Sequence, residues 1–443
     1  MESQVLAQRL AQLSPVDKQR LLARLLRDKV RQQEAPQEHA DPLAWVQDTR
    51  LDPRIQPLAP APCPSISKAV LLTGATGFLG AHLLQELYRH TTATIYCLVR
   101  ARDSHEAQQR LQTNFARYFA HTLAPERVRP IVGDLTAPRL GLAAQAYAAL
   151  AQEIDTIVHN GAQLHHLAPY AQLKASNVSS TVTMLHLATT TKPKWLHYIS
   201  TLVAAVERDS DGWLLEDFPR ADPVDLAGGY AQSKWVSEKL LAEAAQRGIG
   251  VTIFRPGFIS GRSDSGTWPV ENDHLLRVIK GCLQMGYAPD SDLVLDMAPV
   301  DFVSAAIVRI ALSEARLGHV FNLSNPHAIS WSTLLSWLQR CGYTVHVVPN
   351  AVWREQYLSR IDIENALFPV LPLYAGGDTT DRHVGLLTKL SKIHRDHTVQ
   401  MLARLQMPFP AIDQSLWQRY VGFFQHCGFL PTPAKVTSKM AVS

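Results

Sequence analysis

The chain has 443 residues, 46% of them hydrophobic and 19% charged. That length fits roughly three units of about 150 residues, or fewer if a large α/β domain merges two, and the apolar share supplies a core that a disordered chain lacks. Lys and Arg number 43 against 39 Asp and Glu, a net charge of +4, which is too mild for a dedicated nucleic-acid binder.

The first 34 residues read as helix. Leu6, Leu10 and Leu13 lie at helical spacing, and Ser14-Pro15-Val16-Asp17 starts a second helix with Ser as N-cap and Pro in the first turn. The apolar stripe of Leu21, Leu22, Leu25 and Leu26 follows. Residues 1–34 are therefore a helical pair packed on its own protein, or a linker or docking element that meets another polypeptide. Glu2, Gln4, Gln8 and Arg9 interrupt any secretory apolar segment, and a membrane-spanning run of roughly 18 apolar residues does not occur. Residues 35–65 hold seven prolines (Pro36, Pro42, Pro53, Pro57, Pro60, Pro62 and Pro64) and read as a semi-extended lead-in. Leu43, Trp45, Leu51 and Ile55 within it are suited to lie against a domain surface. Cys63, Cys97, Cys282, Cys341 and Cys427 form no CxxC pair. They read as free thiols in a reducing cytosol, and the protein is expected to be cytoplasmic and without structural zinc.

From Lys68 onward strands alternate with helices. Ala69–Thr73 is a short apolar strand, followed by a glycine-rich turn and a helix over Ala81–Tyr88. Further strands are expected at Thr94–Val99, Val128–Val132, Thr156–His159, Leu196–Ser200 and Val251–Phe254, with a long helix through Leu111 and Phe119. This rhythm predicts an α/β fold: a Rossmann-type doubly wound parallel sheet over 66–270. Residues 298–325 return to it through a helix at Val300–Leu312 and a strand at His319–Leu323. Residues 271–443, opening with a helix at His274–Gly286, are expected to form a smaller, mainly helical substrate domain.

The first strand runs into Gly74-Ala75-Thr76-Gly77-Phe78-Leu79-Gly80, a GxxGxxG variant of the dinucleotide fingerprint. Gly74 permits the tight turn, Gly77 lets backbone approach a pyrophosphate, and Gly80 lets the helix pack close to the strand. The helix N-terminus offers free N–H groups to phosphate. The second strand ends at Arg100, with Arg102 beside it and Arg110 on the following helix. An acidic residue there would hold the ribose diol of NAD, whereas guanidinium suits a 2′-phosphate, so NADPH is the expected cofactor. Asp134 and Leu135 end the third strand, where Asp134 can accept from the adenine amino group. Asn160, Gly161 and Ala162 end the fourth.

Tyr230 and Lys234 have YxxxK spacing, which places both on one helix face. A lysine near a phenol favours phenolate and lowers the tyrosine pKa from its reference near 10. Tyr230 is then a poised proton donor to a carbonyl oxygen. Thr201, just past the fifth strand, would hydrogen-bond the same oxygen, with Ser200 as the competing assignment. Arg255, Pro256 and Gly257 follow the sixth strand, and Arg255 is either a structural anchor or a cofactor contact. His159, His165 and His166 read as pocket-lining or surface, without metal.

Together these residues resemble the extended short-chain dehydrogenase/reductase family. They look most like the thioester reductase branch: the terminal reductase domains of nonribosomal peptide and polyketide synthetases and of carboxylic acid reductases. The matching segments are LLTGATGFLGAHLL, YCLVRA with Arg110, GDL, VHNGA, PYAQLKASNV, YIST, GGYAQSKWVSEKLL, RPGFISG, and KGCLQMGYAP leading to APVDFVSAAI. The resemblance implies an NADPH-dependent enzyme that reduces a carrier-protein-bound acyl or peptidyl thioester to an aldehyde, and in some relatives on to the alcohol. It implies catalytic roles for Thr201, Tyr230 and Lys234. An acyl or peptidyl carrier protein with its phosphopantetheine arm is the implied partner of the C-terminal region, and a monomer is expected. The competing reading is an NAD(P)-dependent epimerase or dehydrogenase acting on a free small molecule.

Overall fold

The computed structural model describes residues 44–59, 67–165, 167–220, 226–271, 273–313, 318–374 and 392–433. The helices expected within 1–34, and Leu43, lie outside them. Side chains alternate along the first strand, β1 (Ala69–Thr73): Leu71 enters one core and Val70 and Leu72 the other. Burial on both faces requires helices on both faces. Strands β2 (Thr94–Val99), β3 (Val128–Val132), β4 (Thr156–His159), β5 (Trp195–Ile199), β6 (Val251–Pro256) and β7 (Val320–Leu323) complete a seven-stranded parallel sheet. Its order is β7-β6-β5-β4-β1-β2-β3. The order reverses between β1 and β4, and in such sheets ligands bind at the carboxyl ends of the strands near that switch point.

The expected strands match within two residues at either end. One face carries α1 (Phe78–His90) and α2 (Ser104–Ala116). The other carries α3 (Ala144–Glu153), α4 (Ser180–Thr189) and α5 (Gly229–Gln246). Asp103 caps α2 by accepting from the Glu106 N–H. That helix is shorter than expected, and Phe119 packs its ring on Phe115 from the turn beyond, centroids 4.7 Å apart.

The C-terminal third divides between two cores. Helix α6 (His274–Met285), α8 (Trp331–Arg340) and α10 (Gln414–His426) surround a separate apolar cluster that buries Trp268, Trp331, Trp353 and Trp417. By contrast, α7 (Val300–Ala311) and α9 (Asp396–Arg404) pack on the sheet beside α1, through Ile307 and Met401 among others. The expected division after residue 270 is corrected in two ways. Trp268 already belongs to the second core, and 396–404 returns to the first. The second lobe is also not purely helical, since three short strand pairs knit it, one of them joining Ile259–Ser260 to Ala298–Pro299.

The described part of the lead-in is built into the first core. Trp45 meets Trp235 of α5 edge to face at 5.3 Å. Arg247, just past α5, donates to the carbonyls of Leu51, Asp52 and Ile55 at 2.7–2.9 Å and pairs with Glu243. Arg247→Ala strands three carbonyls at a half-closed seam. It is expected to lower unfolding free energy by about 1–3 kcal/mol, measured by urea denaturation; an unchanged midpoint would show that the lead-in is not part of the folding unit.

Candidate active site

The turn after β1 is set by Gly74, whose φ of +73° is a left-handed conformation open to glycine. A Cβ on Gly80 would lie 1.9 Å from the Gly74 carbonyl oxygen, so α1 sits directly on the loop. Asn114 of α2 clamps the loop from outside by donating to the Ala75 and Gly77 carbonyls at 3.2–3.3 Å. Above this turn opens a cavity of about 540 Å³. It is lined by Gly74, Thr76, Gly77, Arg100, Arg110, Asp134, Leu135, Asn160, Gly161 and Ala162, with Gln163 and Ser176 at one end. Ten of the residues singled out from sequence thus converge on one groove.

Phe78 and Leu79 do not line it. Phe78 turns its ring onto His82 and Tyr118, and Leu79 packs toward the sheet, so their backbone N–H groups are what they offer a ligand. The Arg110 guanidinium donates to the Arg100 carbonyl, which holds the two arginines together. Arg102 is bound instead to Glu106 at 2.8 Å, on the surface. The Thr136 N–H and hydroxyl hold the Asp134 carboxylate below its usual pKa range, with Arg100 assisting. A nicotinamide dinucleotide fits this donor set: a glycine cradle with no room for a Cβ at Gly80, a helix N-terminus, and two guanidinium groups at the end of β2.

At the Gln163 end of the groove, hydrogen bonds lead toward α5, the helix of Tyr230 and Lys234. Asn177 accepts from the Gln163 N–H at 2.8 Å and donates to Ser233 of α5 at 2.9 Å. It sits in a π-helical segment, Lys174–Ser179, a type of distortion frequent at functional sites. Sequence reasoning missed Asn177; it lies in one of the matched segments, but nothing local marks its two-sided hydrogen bonding. Next to Ser233, Lys234 donates its Nζ to the Ile199 carbonyl at 2.7 Å and lies over the Tyr198 ring. That bond draws the end of β5, and therefore Thr201, against the helix that carries Tyr230.

Of the two hydroxyls there, Ser200 is buried and donates to Glu238 at 2.5 Å. Thr201 is half-buried, and its oxygen accepts from the Val203 N–H at 3.4 Å, which leaves its O–H free to donate. Geometry therefore favours Thr201 over Ser200.

The expected lowering of the Tyr230 pKa is corrected. Burial pushes the phenol up to about 12. Lys234 donates to the Ile199 carbonyl instead, and burial pulls its own pKa down to about 7, with Glu238 opposing. Tyr230 is thus a protonated phenol across the neutral range, as a proton donor requires. Arg255 is also resolved as an anchor. It is buried, pairs with Glu238 at 2.5 Å, and donates to the Leu215 and Asp217 carbonyls. Pro256 and Gly257 are likewise away from the groove, and a Cβ on Gly257 would strike Asp296 at 2.1 Å. His159 is an interior residue, not a surface one: its ring bonds Thr73 and Ser180, and burial keeps it neutral with a pKa of about 3. His165 is exposed, and His166 lies outside the described residues. Among the described residues no cluster of His, Cys, Asp and Glu could hold a metal, and no helix is long and apolar enough to cross a membrane.

A dinucleotide groove at the switch point of a parallel sheet, with a Tyr–Lys helix beside it, belongs to oxidoreductases of the extended short-chain dehydrogenase/reductase type, which use a nicotinamide cofactor. Comparison with known proteins narrows this class. Residues 72–307 match the NAD-binding family described as male sterility protein. The chain superposes on the terminal R domain from the myxalamid PKS-NRPS biosynthetic pathway with a TM-score of 0.76 and 37% identity, covering 88% of this chain and 99% of that one. It is 33% identical over 426 residues to the isonitrile lipopeptide synthase of Streptomyces coeruleorubidus. It is 31% identical over 408 residues to the L-2-aminoadipate reductase large subunit of Eremothecium gossypii. These alignments take in 93% and 85% of this chain but only 28% and 29% of the relatives, so the chain spans less than a third of either. The chain belongs to the male sterility protein family of NAD-binding reductases, in the branch of the terminal R domains.

Proposed function

We propose that this chain performs NADPH-dependent reductive release of an acyl or peptidyl thioester, carried on the phosphopantetheine arm of a carrier protein, to the aldehyde. The observation that supports the reading is the Lys234–Ile199 bond, which ties the strand end leading to Thr201 to the helix of Tyr230, in a fold whose groove fits a dinucleotide although Thr201, Tyr230 and Lys234 are not among the residues that line it. The glycine loop, Arg100 and Arg110 would hold NADPH, which when bound would supply the hydride for the thioester carbonyl carbon. Thr201 and Tyr230 donate hydrogen bonds to the carbonyl oxygen, where negative charge develops, and Tyr230 delivers the proton. The resulting hemithioacetal breaks its C–S bond, releasing the pantetheine thiol and the aldehyde. Lys234 acts by holding the strand end that leads to Thr201, through its bond to the Ile199 carbonyl.

The test is incubation of the purified chain with NADPH and a panel of acyl-pantetheine and acyl-carrier thioesters, with products identified by mass spectrometry. Aldehyde or alcohol with stoichiometric NADPH loss is expected; free acid without NADPH loss would refute the reading. Arg100 and Arg110 carry the preference for NADPH. The double alanine variant is expected to raise the KM for NADPH about 10- to 100-fold, the worth of one or two charge-assisted hydrogen bonds, and to leave that for NADH nearly unchanged. Equal losses with both cofactors would show that the two arginines do not read the 2′-phosphate.

A further inference from the structure

We infer that Glu238 is a positioning residue of the active centre: it locks the end of β5 that bears Thr201 to the helix that bears Tyr230 and Lys234. The inference rests on the reductase reading above. Glu238 follows Lys234 by one helical turn, as Lys234 follows Tyr230, so the three share one face of α5. The two lower residues grip consecutive residues of one strand end: Lys234 holds the Ile199 carbonyl and Glu238 the Ser200 hydroxyl, at 2.7 and 2.5 Å. Thr201 is the next residue. The other side of the Glu238 carboxylate takes Arg255, through Nε at 3.1 Å and Nη2 at 2.5 Å. Arg255 passes the restraint on to the 215–217 loop.

Glu238 and Arg255 are 0% and 1% exposed. A buried ion pair is poor value as a stabiliser, since an apolar pair of equal volume commonly does as well. Its directional bonds to three separate segments are what an apolar pair does not provide. The Glu238 charge also favours the protonated form of Lys234, against the effect of burial. The other groups that face that ammonium are His159 of β4, which is neutral, and the Tyr198 ring of β5. Removing the negative charge therefore lets the lysine lose its proton at lower pH.

The experiment compares wild type with Glu238→Gln, which keeps the shape and removes the charge, and with Ser200→Ala, which keeps the charge and removes one bond. Each is assayed with NADPH and either an acyl-pantetheine thioester or the matching free aldehyde, and NADPH affinity and thermal melting are measured separately. Folded variants are expected to lose kcat about 10- to 100-fold, the effect of a small misplacement of reacting groups, with NADPH affinity within about two-fold of wild type. Glu238→Gln alone should also move the alkaline limb of the kcat–pH profile to lower pH. An unchanged kcat in a folded variant overturns the inference, as does a loss that only parallels loss of NADPH binding. Should Glu238→Gln not fold, Ser200→Ala decides. Wild-type turnover of aldehyde but not thioester would instead refute the thioester reading, while the aldehyde assay still tests Glu238.

Discussion

Replacing Tyr230 by phenylalanine is expected to lower kcat for thioester reduction by about 10²- to 10⁴-fold, the usual contribution of a positioned general acid. The variant should fold and bind NADPH as before, because the ring remains and only the hydroxyl is lost. The phenol is the group best suited to donate: burial pushes its pKa up to about 12, so it carries its proton throughout the working range. Residual activity is expected from Thr201, which keeps one hydrogen bond to the oxyanion. A rate equal to wild type, followed through NADPH absorbance at saturating thioester, would remove Tyr230 from the mechanism.

Gly80→Ala and Gly77→Ala should separate two functions of one loop. At Gly80 the new methyl meets only backbone: the Gly74 oxygen at 1.9 Å, the Gly74 carbonyl carbon at 2.7 Å and the Ala75 Cα at 2.9 Å. No side chain can move aside, so β1 and α1 must part. A loss of about 3 kcal/mol of stability or more is expected, toward the upper end of overpacking penalties, with dinucleotide binding lost as well. At Gly77 the nearest atom is the Gly74 oxygen at 3.4 Å, an ordinary contact. That variant should melt close to wild type yet bind NADPH weakly, because its methyl occupies the surface where backbone meets pyrophosphate. Melting curves and fluorescence titration of NADPH distinguish the two; a Gly80→Ala protein as stable as wild type would contradict the close packing of α1 on the loop.

The strands were legible because their signals are local. Ala69–Thr73 and Thr94–Val99 are apolar runs bounded by turn residues, and a run of that kind between helical segments pairs in parallel. Most of the groove residues were legible for a related reason: apart from Arg110 on α2, they follow the ends of strands, and a doubly wound sheet brings those ends to one edge. Roles that depend on which face a side chain takes were not legible. Ser200 and Thr201 are neighbours with similar hydroxyls, and neighbours in extended chain point to opposite sides. Only packing against α5 shows that Ser200 turns inward to Glu238. Arg255 stands at a strand end like the groove residues, yet it turns to a carboxylate 17 residues away in sequence. The boundary of the second lobe was misplaced because Trp268 and Met401 are apolar in either core, and composition does not say which.

By itself, then, the amino-acid sequence determined the doubly wound sheet, the glycine cradle, the paired arginines and the Tyr230–Lys234 face, all of which follow from spacing along a regular backbone. The tertiary structure alone decided the burial around the Tyr230 phenol, the inward turn of Ser200 to Glu238, and the anchoring of Arg255 by Glu238. Those properties depend on burial and on partners from distant segments. A side chain's charge and hydrogen bonding are set by what folding packs around it, and spacing along the chain does not contain that information.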